Sequence, residues 1–227
     1  FWTQEITSCG GDPQCIEVKR INVSAAFFLS IEFQETGFLA YRYYKAAYGN
    51  LPNQPVPIRF DELIPDAREI GRGVIVNQAG WEQVLETNKQ SFTAEFTQRA
   101  RFTNLYPSSM SASEFVDTLN QNSGNLLSSS RRDLLVSNLS SGAMSRAQVL
   151  RAIAEDRLLV NAEFNRAFVL MQYFGYLRRN PSDAPDGDFT GYNFWLNKLN
   201  QFNGNYQQAE MVEAFLSSTE YRQRFGS

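Results

Sequence analysis

The chain reads as an all-α protein, roughly eight to ten helices stacked as repeats with no significant sheet. Three observations predict this class. Apolar residues recur at three- and four-residue spacing along most of the 227 residues. Two capping boxes, Ser111-x-x-Glu114 and Ser145-x-x-Gln148, each precede an apolar helical run. Alternating patterns of useful length are missing, with Val74-Ile75-Val76 the only strand candidate.

Taken in order, the first pattern predicts a helix over 16–31, mixed at Ile16, Lys19, Arg20 and Val23 and apolar by Phe27 and Phe28. A second covers 37–48, with Phe38, Tyr41, Tyr44, Lys45 and Tyr48 on one face. Pro52, Pro55 and Pro57 end it. A shorter amphipathic piece spans 60–70 and stops at Gly71 and Gly73. One long helix is expected over 81–105, its apolar face marked by Trp81, Val84, Leu85, Phe92, Phe96 and Phe102, with Pro107 beyond its end. The two capping boxes then open helices before Phe115 and Val149, with a further helix over 130–139 between them. Residues 161–177 are strongly apolar and Pro181 stops them; 189–202 and 207–215 complete the set.

An internal repeat overlies these elements. Phe1-Trp2 is matched by Phe194-Trp195, and Phe28-Leu29-Ser30 by Phe215-Leu216-Ser217. By pattern the chain falls into four stretches. Residues 1–49 form a truncated first repeat with a cysteine loop. Residues 50–110 form a Pro-rich connector and a long helix. Residues 111–160 are a degenerate second repeat, and 161–227 the third and most complete.

Composition narrows function by exclusion. Lys and Arg number 21 against 24 Asp and Glu, a net charge of −3, and no basic stripe marks a nucleic-acid footprint. Arg131-Arg132 and Arg178-Arg179 read as solvated faces or helix ends. No apolar run approaches the ~18 residues that span a bilayer. With no histidine, Ser-His-Asp and Cys-His machinery are ruled out, and no phosphate-binding loop appears. Glu62 and Asp66, at i and i+4, read as a solvated helix face, so no catalytic residue is assigned. Tyr41, Tyr43, Tyr44 and Tyr48 read as core and interface before they read as a sugar- or base-stacking surface. The sequons at Asn22 and Asn138 fall in predicted helices and read as chance.

Two local features carry chemistry. Cys9 and Cys15 flank Gly10, Gly11 and Pro13, a tight turn suited to a disulfide staple in an oxidising compartment. The alternative is a pair of free thiols in a cytosolic loop. From Asp186 the chain reads Asp-x-Asp-x-Thr-Gly, the opening of a calcium loop in which Asp186, Asp188, Thr190 and the carbonyl of Tyr192 would be ligands. The twelfth position is Asn197 in place of a bidentate Glu, so affinity would be on the order of 10⁻⁴–10⁻³ M. The plainer account is a helix-to-helix loop whose Asp and Thr cap the next helix.

The run Arg179-Asn180-Pro181 through Gly191 and Phe194-Trp195 to Phe215-Leu216-Ser217 and Glu220-Tyr221, with 140–155 as a second copy, resembles a bacterial domain of unknown function, family 4214. That domain is similar in pattern to the phycobilisome linker domain. The resemblance is fullest over 161–226; over 111–160 the Arg-Pro-Asp loop and the Trp are missing, and 50–110 lies outside it. It implies helical repeats in a secreted or cell-surface protein, with no active site to transfer. The expectation is a non-enzymatic, extracellular assembly module. Its partner is itself, as an oligomer or filament, or the rest of a larger parent chain. The alternative is a calcium-stabilised glycan- or matrix-binding module.

Overall fold

The computed structural model describes residues 2–225, without the side chains of residues 2 and 3. Along these the helices run α1 Trp2–Thr7, α2 Pro13–Leu29, α3 Ile31–Glu35, α4 Gly37–Tyr48, α5 Phe60–Ile70, α6 Trp81–Phe96 and α7 Ala100–Leu105. There follow α8 Ala112–Asn122, α9 Ser129–Ser140, α10 Arg146–Ala154 and α11 Arg157–Gln172. A π-helical turn, Tyr173–Leu177, precedes α12 Thr190–Gln201, α13 Met211–Ser217 and α14 Thr219–Phe225. No strand occurs among the described residues, and Val74-Ile75-Val76 lies in the irregular segment between α5 and α6. The all-α class therefore holds. Helices exceed the expected number because short pieces such as α3 and α7 stand alone.

The predicted long helix over 81–105 is two helices. The Thr97 hydroxyl bonds back to the carbonyls of Thr93 and Ala94 at 3.1 and 3.0 Å, and Arg99 turns extended to open α7. Such back-bonding competes with the helical ladder. The break turns Phe102 onto Phe96, with ring centroids 6.1 Å apart. The helix expected to open before Val149 ends at Ala154, and a new one starts after Glu155 and Asp156, where the Asp156 carboxylate accepts the Leu158 N–H at 2.9 Å. Both capping boxes form: Ser111 with Glu114 and Ser145 with Gln148.

The helices gather into two compact units. One is Glu35–Phe164; the other joins Phe1–Gln34 to Asn165–Ser227. In Glu35–Phe164, α4 is wrapped on nearly every side, so its expected single face does not exist: Phe38, Tyr41, Tyr43 and Tyr44 are all buried. Around it lie Phe92 and Phe96 of α6, Phe115 and Leu119 of α8 and Val149, Leu150 and Ile153 of α10. The Tyr43 ring meets Phe92 edge-on at 5.3 Å. Each buried hydroxyl finds a partner, as burial requires: Tyr41 donates to Glu163 at 2.7 Å, Tyr106 donates to the Ala47 carbonyl, and Tyr43 pairs with Thr93.

The second unit is built around Phe28 of α2. Its ring meets Phe33, Phe168 and Tyr176 edge-on, with centroids 5.6, 6.2 and 5.5 Å away. Phe28 lies over Gly175 in the π-turn, where an added Cβ would stand 2.7 Å from Cζ. That close approach explains glycine within an otherwise bulky run.

Candidate functional site

The unit formed by Phe1–Gln34 and Asn165–Ser227 carries the features with binding potential. Asp12 caps α2, its carboxylate accepting the N–H groups of Gln14 and Cys15 at 3.0 and 3.3 Å, and Pro13 follows at the first helical position. This turn brings Cys9 and Cys15 into a disulfide. The staple ties α1 to the start of α2, as the sequence predicts.

Beyond the staple lies an open groove of about 860 Å³. Ile6, Ile16, Ile21, Val23, Leu216 and Tyr221 contribute apolar lining, while Glu17, Arg20, Glu213 and Arg222 add both charge signs. Arg20 and Ser24 face the groove, and Phe27 continues their helix face three residues further on. Phe27 is 63% exposed and Ile31 of α3 is 52% exposed. On α12, Phe194 is 57% exposed, its ring stacked edge-on against Trp195. The periodicity of 16–31 does not disclose this, because Phe27 and Phe28 look alike in sequence while only Phe28 is buried. Phe1 and the side chain of Trp2, on which the expected half-repeat rests, lie outside the described residues.

In the acidic loop after the π-turn the two expected carboxylate ligands are engaged by other partners. Asp186 Oδ2 pairs with Arg179 at 2.7 Å. Asp188 Oδ1 accepts the Thr190 N–H at 2.8 Å and so caps the start of α12. That backbone bond, together with the Thr190 hydroxyl, holds the Asp188 carboxyl below its ordinary value. Tyr192 is buried, and its hydroxyl donates to the Arg166 carbonyl at 3.1 Å. No group of three or more acidic or cysteine side chains is placed to hold a metal among the described residues.

Arg179 corrects the reading of Arg178-Arg179 as a solvated pair. Its guanidinium is buried and bridges Asp186 to Glu220 of α14. Burial lowers its basicity, but the two carboxylates outweigh burial and hold its pKa above the ordinary arginine value. The partner that would have betrayed it stands 41 residues away. Arg178 does lie at a helix end, in the left-handed conformation.

In Glu35–Phe164 the charged clusters are structural. Asp66, expected on a solvated face, is buried against a two-pronged bond from Arg99 at 2.8 Å on each arm. Arg99 also pairs with Glu95. Lys89 joins Glu35 and Glu155, and Arg151 joins Glu86 and Glu155. Burial pushes the Tyr48 hydroxyl up to about 12, and it holds the buried Arg42 guanidinium down to about 10. Tyr41, Tyr43 and Tyr44 are core residues, which removes them as a stacking surface for sugars.

No family model, curated protein or solved structure matches the chain. No described helix is long and apolar enough to cross a membrane.

Proposed function

We propose that the chain is a non-enzymatic assembly module of a secreted bacterial protein, which associates with copies of itself through helix packing. The observation that carries this reading is the ring of Phe27, 63% exposed on the helix face of α2 that continues from the groove-lining Arg20 and Ser24. Large exposed rings close to a concavity of mixed apolar and charged lining mark an interaction surface. The groove rim carries Glu17 and Glu213 beside Arg20 and Arg222, so a second copy offers it both charge signs. Phe27 and Phe194 stand on different helices; a head-to-tail contact between unlike surfaces continues from copy to copy, as a ring where the rotation closes and as a filament where it does not.

Secretion is supported by the Cys9–Cys15 disulfide, which persists in an oxidising compartment, and by the resemblance noted above. A non-enzymatic role is supported by the lack of histidine and by the setting of the perturbed groups. Those groups are buried tyrosines, residues of ion pairs, the buried Arg42, and the carboxylates of Glu114 and Asp188 bonded at helix starts. Against a calcium-stabilised binding module stand the engagement of Asp186 by Arg179 and the capping role of Asp188.

Sedimentation velocity over a micromolar concentration series tests the proposal. The chain is expected to sediment as concentration-dependent oligomers. Phe27→Glu should return it to a monomer with an unchanged melting midpoint, since the ring is exposed. A wild-type chain that stays monomeric throughout removes the self-assembly reading.

A further inference from the structure

We infer that the loop after the π-turn is an oxygen-lined cation site whose occupant is the chain's own Arg179, and that this internal cation latches α14. Five residues present oxygens to one guanidinium. Nη1 donates to the carbonyls of Asn180, Pro181 and Asp183 at 3.0, 3.3 and 3.1 Å. Nη2 donates to Asp186 Oδ2 at 2.7 Å and Glu220 Oε2 at 2.9 Å, and Nε donates to Glu220 Oε1 at 2.7 Å. Carbonyls of one turn converging on a point, joined by carboxylates, is how loops surround a hard cation. Here the fork of N–H donors on a planar guanidinium meets them instead.

The surroundings are arranged to keep it there. Asp183 Oδ2 accepts both the backbone N–H and the side-chain amide of Asn180 at 2.9 Å, which closes the turn that aims the carbonyls. The face of the Tyr173 ring lies 5.4 Å from the guanidinium carbon. Arg179 is 7% exposed, so water competes little for its donors.

The latch follows from how α14 is held. None of its residues is buried, so apolar burial alone anchors it weakly. Glu220, its second residue, is gripped on both oxygens by Arg179. Tyr221 and Phe225 of the same helix form part of the groove wall, so the Arg179 cation sets the shape of that groove from behind.

Hydrogen exchange of residues 219–225 in the intact chain, with chemical rescue, tests this. Wild type is expected to give the same protection and melting midpoint in millimolar calcium and in chelator. Arg179→Ala should lose at least tenfold protection across 219–225. Millimolar ethylguanidinium should restore it, and millimolar calcium should not. Glu220→Gln, which leaves the loop's own bonds in place, should free α14 while the loop amides stay protected; it keeps the test decisive if Arg179→Ala does not fold. A wild-type midpoint that moves with chelator overturns the inference. So does rescue of Arg179→Ala by calcium or by neither cation, or an α14 that stays protected in Glu220→Gln.

Discussion

Arg151 and Glu86 show how a single side chain sets a measurable property. Arg151 donates two hydrogen bonds to the Glu86 carboxylate, at 2.8 and 2.6 Å, and these bonds hold its pKa at about 2, below the ordinary 4.5. A carboxylate depressed in the folded state stabilises the fold above its unfolded pKa and loses that contribution as pH falls. The pair is therefore expected to weaken between pH 4.5 and 2. Glu86 is 42% exposed, so screening keeps the contribution under about 1 kcal/mol. In Glu86→Gln the acid limb of the stability curve should flatten across that window. An acid limb identical to wild type would discount the pair. At this scale the sequence is least informative. Asp66 takes its guanidinium partner from 33 residues away, and Arg179 adds to its nearby partner Asp186 a second carboxylate, Glu220, 41 residues away.

Helix ends are where sequence and structure agree best. The bounds of α4 and α5 match the expected ones, marked by Gly37, the prolines after Tyr48 and Gly71, although α5 itself accommodates Pro65 in its interior. The capping boxes are equally legible. Ser145 Oγ accepts the Gln148 N–H at 3.2 Å and Gln148 Oε1 accepts the Ser145 N–H at 2.8 Å. Ser145→Ala should lower stability by about 1 kcal/mol and Ser145→Gly by only a few tenths, measured by urea denaturation. Equal losses in the two variants would mean that the cap is not the cause. The break between α6 and α7 was not legible. Trp81 through Leu105 carries no proline or glycine, and the interruption comes from threonine hydroxyls bonding their own backbone. Nor is the π-turn legible, although Gly175 within it leaves the room that the Phe28 ring occupies. Of the candidate site, the disulfide was readable from its turn residues, whereas the groove was not: it depends on which of two adjacent phenylalanines turns inward.

The whole molecule adds a feature that no local pattern announces. One compact unit is a continuous stretch, Glu35–Phe164, and the other is assembled from Phe1–Gln34 and Asn165–Ser227. A chain ended after Phe164 should therefore keep slow amide exchange within 35–164 and lose it within 2–34, because Phe28 is deprived of Phe168 and Tyr176. Persistent protection of α2 in that shortened chain would show that its helix needs no later partner.

The same discontinuity imposes an order on birth. At 5–20 residues per second, the ribosome takes on the order of ten seconds to translate the stretch that separates the two halves of the split unit. Through that interval Phe27, Phe28 and Phe33 have been made, while Phe168 and Tyr176, which complete the cover of Phe28, have not. A nascent apolar segment that waits so long for its later partners is a natural client for a holding chaperone.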